Sequence, residues 1–245
     1  MDNELAKISA TLSVYLEPDI FVPEFREGFK KGNNFDFKKV KKYNQLLLSI
    51  SWFVKKVSKY QIYFQKFYPN TKEIHDFEAL EHHIHAYLED SATVKNKLSE
   101  YIGALKNDIS QVAINKDEIK KKLDFLNSQV HKAFESPLGL RRQHRHNGYK
   151  FVDGNLVDAE MAEMMLGEKS PFKGMMTEYA IEKFTHQRKD SFEKAKNFWL
   201  ENARKNDSQV KGVANEIVEK TKDFLFKLLD IVPSDFPLPT QEVKN

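Results

Sequence analysis

Apolar residues spaced three and four apart govern what this chain can become. Between Asp36 and Tyr68 the residues Tyr43, Leu46, Leu47, Ile50, Phe53, Val54, Val57, Tyr60, Phe64 and Phe67 recur at those steps. An α-helix turning about 100° per residue gathers them on one side, and a strand does not. Glycine and proline, the residues that interrupt such a run, number only 9 and 8 in 245. The segment predicts one long helix, stopped by Pro69.

The same period recurs downstream. Asn70 with Glu73 reads as a capping box opening a second helix through Phe77, Leu80, Ile84, Tyr87, Leu88, Leu98, Tyr101, Ile102, Leu105 and Ile109. Asn115 with Glu118 repeats the signal before Ile119, Leu123, Leu126, Val130 and Phe134, with an end expected near Pro137. Asp153-Gly154 reads as a turn, Leu156 to Leu166 as a short helix, Tyr179 to Trp199 as a further helix and Val210 to Leu229 as a last one. Trp52 and Trp199 fall on apolar faces and are expected in the core. Residues 1–34 read as one or two short helices packed on the body, 35–231 as the bundle, and 232–245 as a Pro-containing tail. No convincing period-two stretch occurs. The expected fold is all-α, an antiparallel bundle of four to five long helices with additional short helices.

Several chemistries are excluded by what is missing. Without cysteine there is no disulfide, thiolate metal site or cysteine nucleophile. No G-x-G-x-x-G, G-x-x-x-x-G-K or G-x-S-x-G string occurs, so dinucleotide, P-loop and hydrolase-elbow readings fall away. Met1 to Leu16 carries Asp2, Glu4 and Lys7 and has no continuous apolar core of a signal peptide. The best apolar run, Leu46 to Val54, is broken by Ser49 and Ser51, far short of a membrane span. The expectation is a soluble cytoplasmic protein without membrane contact.

Net charge is +3, a cancellation of unlike regions. Asp36 to Tyr68 holds lysines 38, 39, 41, 42, 55, 56, 59 and 66 against one acid, whereas Thr71 to Ser110 is acidic. The first two long helices can therefore pair antiparallel with complementary charge. The lysine face is either a solvated helix surface or a rail for an RNA backbone. A third, basic region spans His131 to Phe151.

That third region holds the string Arg141-Arg142-Gln143-His144-Arg145-His146-Asn147-Gly148-Tyr149-Lys150-Phe151. Arginine offers a fixed planar fork for phosphate oxygens, and histidine moves a proton near neutral pH. Together they suit phosphodiester cleavage, and RNA brings its own nucleophile in the 2′-hydroxyl, so neither metal nor cofactor is needed. On an ideal helix Arg141 and His146 stand about 140° apart, while Arg142 and His146 share a face. The first pair converges only at a helix end or kink, which Gly139 and Gly148 permit, or across a dimer.

An all-α bundle carrying Arg, four residues and then His resembles the HEPN superfamily of RNA-associated helical domains. The resemblance rests on Leu140 to Gly148, which has that signature's apolar-Arg lead, spacing and polar exit; the bundle comparison covers residues 36–231. It implies RNA as partner, Arg141 on the scissile phosphate and His146 as acid and base, with Arg142, His144, Arg145, Asn147 and Tyr149 holding substrate. It also implies a homodimer in which two motifs meet in one cleft, and a defence or toxin–antitoxin setting with a protein partner or antitoxin. Arg142 stands where active members often have Asn, Asp or His, so cleavage and binding without cleavage both stay open.

The competing reading is a non-catalytic helical interaction or dimerisation module. A third arises on the second helix, where Glu81 and His85, and His82 and His85, share a face as metal ligands do, although ligands from another helix would be needed. The preferred reading has His82 or His85 packing at the bundle seam or approaching the arginine motif, where Glu78 or Glu81 hydrogen-bonds and orients Arg141 or His146. Tyr149 and Phe151 are candidates for base stacking or for core anchoring.

Overall fold

The computed structural model describes residues 4–20, 26, 29–69, 74–109, 115–135, 153–168, 170–172 and 174–232. The elements run α1 (Glu4–Leu16), a 3₁₀ turn (Pro18–Ile20), β1 (Lys30–Lys31), α2 (Phe37–Ser58), α3 (Tyr60–Lys66), α4 (Asp76–Ile109), α5 (Lys116–Ala133), α6 (Gly154–Leu166), α7 (Glu178–Leu229) and β2 (Ile231–Val232). The fold is all-α, with one two-residue antiparallel ladder pairing Lys30 with Val232 and Lys31 with Ile231. Among the described residues, no helix is long and apolar enough to cross a membrane.

Helix starts follow local hydrogen-bonding chemistry. Asp36 Oδ1 accepts the amides of Lys38 (2.9 Å) and Lys39 (3.3 Å), capping α2. The His75 amide donates to Glu78 Oε2 at 2.8 Å, and the His75 carbonyl accepts from Ala79. This is the reciprocal half of a capping box, centred on His75. The box expected at Asn70 and Glu73 lies outside the described residues. Asn115 precedes α5 as expected, its carbonyl accepting from Ile119. The expected turn at Asp153-Gly154 is a helix cap, with Asp153 Oδ1 accepting from the amides of Asn155 and Leu156.

Two helix readings change. The single helix expected over 36–68 divides at Lys59, where a tight bond from the Lys59 amide to the Lys56 carbonyl closes α2 and the Lys59 carbonyl opens α3. Conversely, α7 is one helix of 52 residues. Spacing gives one helix through Trp199 and another from Val210, but Ala203, Asn206 and Val210 are buried at helical spacing and carry the buried face across the interval.

The chain falls into two compact units, one of residues 1–54, 93–133 and 210–245, the other of residues 55–92 and 134–209. In the first unit Leu12, Val40, Leu47, Ile50, Leu98, Leu105 and Leu225 are buried, along with the rings of Tyr43 and Tyr101. Full burial of each such aliphatic side chain contributes about 1.5–3 kcal/mol. Tyr101 Oη and Thr221 Oγ1 meet at 2.8 Å. Tyr15 donates to the Val232 carbonyl at 2.7 Å and fastens α1 to the ladder. Asp230, with φ of 51°, ends α7 in the left-handed region. Its carboxylate accepts from the Asn34 amide at 2.7 Å and lies where a Cβ on Gly32 would stand. A side chain on residue 32 would displace that carboxylate from the Asn34 amide.

The second unit is built around aromatic rings. Tyr87 packs against Tyr60 (5.5 Å between centroids), Phe64 (5.7 Å) and Trp199 (6.4 Å). Lys56 with Asp90 and Tyr63 with His83 set α2–α3 antiparallel to α4. Asp76 with Arg188 and Tyr87 with Asn206 set α7 parallel to α4. The charge complementarity expected between the first two long helices is made by Lys42 with Asp108 and Lys56 with Asp90, each within one unit.

Two aromatic assignments are corrected. Trp199 is core, but Trp52 is 58% exposed. It follows the buried Ile50 by two residues, about 200° around the helix. Phe67, read as part of the buried stripe, is 63% exposed, because α3 has ended before it.

Candidate functional site

The basic segment with Arg141, Arg142, His144, Arg145, His146, Asn147, Tyr149 and Phe151 lies outside the described residues. Its described flanks belong to the second unit. Phe134, before it, is fully buried. Asp153, after it, is a buried carboxylate; one oxygen caps α6 and the other accepts from Trp199 Nε1 at 2.8 Å. A buried carboxylate with three donors is well satisfied, so this flank is rigidly held to α7.

The other sequence candidates sit on α4 in the same unit. Glu78 is committed to the His75 amide at the helix start. Glu81 Oε1 stands 3.8 Å from His85 Nε2, an i,i+4 pair with both side chains partly exposed. His82 is exposed. Among the described residues, no group of three or more His, Cys, Asp or Glu side chains is arranged to hold a metal ion.

Glu78 and His82 do meet, across a cavity of about 430 Å³ between the end of α3 and the first turns of α4. Its other walls include Lys66, Phe67, Tyr68, Ile74 and His83. His83 was not singled out by sequence, yet it is firmly fixed on α4. Its Nε2 lies 2.8 Å from the Phe67 carbonyl, and its ring stacks on Tyr63 at 5.7 Å and 23°. A carbonyl only accepts, so this bond places the proton on Nε2. Tyr68 is fixed as well, its hydroxyl donating to the Phe64 carbonyl at 2.8 Å and its ring edge-on to Phe192 at 5.5 Å. Burial, then the charges of Glu193 and Asp76, push the Tyr68 hydroxyl far above its ordinary pKa, so it stays a neutral donor.

Beside α4's first turn lies a second constellation that no local pattern announces. Arg188 of α7 donates to Asp76 Oδ1 at 3.1 Å and pairs through Nε with Glu163 of α6. His75 Nδ1 stands 4.0 Å from Glu163. Asp76 and Arg188 are 112 positions apart, so only the fold joins them.

The lysine helix is divided in use. Lys42 and Lys56 turn to carboxylates of α4, while Lys38, Lys41, Lys55 and Lys59 are exposed.

No family model, no curated protein and no solved structure matches this chain.

Proposed function

We propose that the chain is an HEPN-like RNA-binding protein, with metal-independent endoribonuclease activity carried by Arg141 and His146. The observation behind this reading is the Arg141–His146 string in an all-α chain, bracketed by buried Phe134 and by Asp153, which Trp199 holds. In the proposed step the 2′-oxygen attacks phosphorus and the P–O5′ bond breaks, leaving a 2′,3′-cyclic phosphate and a 5′-hydroxyl. His146 moves the proton, and Arg141 offsets charge on the equatorial oxygens. Arg142, His144, Arg145, Asn147 and Tyr149 hold the strand, and the exposed lysines of α2 add affinity that falls steeply with salt. A homodimer bringing two motifs together, an antitoxin or other protein partner, a cytoplasmic location and a defence setting belong to the same proposal.

The test is cleavage of single-stranded RNA in EDTA. Wild-type protein is expected to release cyclic-phosphate ends, and Arg141→Ala and His146→Ala are expected to lose at least 100-fold in rate, the scale of a lost proton donor. Equal activity in all three, or no activity and no RNA binding, overturns the reading.

A non-catalytic interaction module is the second reading, favoured by one observation. Met161, Met164, Met175 and Tyr179 are all more than half exposed, and exposed methionines are adaptable contacts for a partner. RNA binding without cleavage by the wild type, together with a stable protein complex through these residues, favours it.

A further inference from the structure

The cavity between α3 and α4 is walled by aromatic rings that are already locked. His83 is held by the Phe67 carbonyl and by the face of Tyr63; Tyr68 is held by the Phe64 carbonyl and by Phe192. Rings fixed in advance lose little conformational freedom when something enters, which favours a flat, rigid occupant. Phe67 contributes an exposed ring at the lip, 5.5 Å from Tyr63 and 6.2 Å from His83. Ile74 and Ala79 complete an apolar lining.

The polar groups are unevenly distributed. Lys66, exposed, supplies a cation beside Phe67, and His82 supplies an imidazole. Glu78 supplies a carboxylate whose Oε2 already accepts from His75, leaving lone pairs on Oε1 for an incoming N–H. An alkyl chain would use none of these groups. A nucleobase with its phosphate uses both charged ones, with the ring among the aromatics, base N–H groups toward Glu78, and phosphate on Lys66. The volume of about 430 Å³ falls within the ordinary range for small-molecule sites. Two larger cavities, one lined by Phe125 and Phe224 and one by Gln45 and Asn107, belong to the first unit and contain no histidine.

We propose that the cavity walled by Phe67, Tyr68 and His83 receives one unpaired nucleobase of a single-stranded RNA, with the neighbouring phosphate on Lys66. This site rests on the RNA reading and deepens it. It lies in the unit that holds Phe134 and Asp153, the described flanks of the Arg141–His146 segment, and supplies a contact to an unstacked base, the feature by which proteins tell single strands from duplex.

The experiment uses the full chain and a short single-stranded RNA carrying a fluorescent purine analogue, followed by titration and by emission change on stacking. Phe67→Ala is expected to weaken binding about 5- to 100-fold, the range of one lost base stack, and to abolish the emission change. Lys66→Gln is expected to lower the salt dependence by about one ion. Phe125→Ala, an exposed phenylalanine of the first unit, is expected to change neither. Thermal melting checks folding; should Phe67→Ala melt early, Phe67→Leu keeps an apolar side chain without the π face. Wild-type binding with Phe67 variants equally tight and equally responsive overturns the base site while leaving RNA binding in place. Failure of the wild type to bind any RNA overturns the RNA reading itself. Competition for the cavity by an acidic peptide, but not by RNA, assigns it to a protein partner and overturns the proposal.

Discussion

Two clusters of the same three residue types stand one in each unit, and they are wired differently. Around Asp108, Tyr43 Oη (2.8 Å) and Lys42 Nζ (2.9 Å) both donate to Oδ2. Around Asp90 each oxygen has its own donor, Lys56 Nζ on Oδ1 at 2.8 Å and Tyr60 Oη on Oδ2 at 2.6 Å. The Asp90 side chain is also the less exposed, 10% against 16%. Removing either acid leaves a buried tyrosine hydroxyl without its acceptor, since Tyr43 and Tyr60 are both buried; the bond to Asp108 lies nearer to solvent than the bond to Asp90, so water replaces more of what is lost there. At Asp90 both oxygens are used, and the cost rises accordingly.

The largest expected effect breaks this comparison directly. Asp90→Ala should lower stability by about 2–4 kcal/mol and Asp108→Ala by about 1–2 kcal/mol, read from urea denaturation. Equal losses would show that the wiring does not matter.

High pH is expected to act next. Burial, with help from the adjacent carboxylates, pushes the hydroxyls of Tyr43 and Tyr60 far above their ordinary value. Burial raises Tyr15 and Tyr87 to about 12, the Tyr87 rise partly offset by the bond from Asn206. A raised folded pKa contributes stability that is whole below the unfolded value near 10 and is lost as pH rises toward the folded one. Stability should therefore hold to about pH 10 and decline beyond. Tyr43→Phe and Tyr60→Phe should each shallow that decline, measured as melting temperature against pH.

The smallest effect is at low pH. Burial pushes the Asp108 carboxyl up, but the hydrogen bonds from Lys42 and Tyr43 and the charges of Lys42 and Lys39 outweigh it, leaving the pKa below normal. Stability from this group is whole above the unfolded value near 4 and lost as pH falls through the lower folded one. Asp108→Asn should flatten the acid limb of the stability curve; an unchanged limb would assign its slope to other carboxylates.

Much of the framework was legible in spacing, and the failures have physical causes. The apolar set of α4, from Phe77 to Ile109, is buried throughout, because a strict three–four period on a long helix leaves one choice of face. The continuity of α7 was hidden because part of its buried face is made of Ala203 and Asn206, which an apolar count passes over. Trp52 was misplaced because residue type outweighed angle. The partners of Arg188 and the ring pair of His83 and Tyr63 arise from packing between helices, which no local window contains. For the same reason Glu78 and His82 were singled out as support for a motif, while the cavity they share with Phe67 went unseen.

The Gly32–Asp230 clasp has a bearing on how the protein reaches its fold. The Asn34–Asp230 bond spans 196 positions and the Tyr15–Val232 bond spans 217, whereas the helices form from neighbours in sequence. Closing so wide a loop gains little until the intervening helices have shortened the gap. The clasp is thus expected to close late in folding, and its loss to show mainly as faster unfolding rather than slower folding. On that expectation its few hydrogen bonds act as a latch, setting how long the first unit stays shut once assembled.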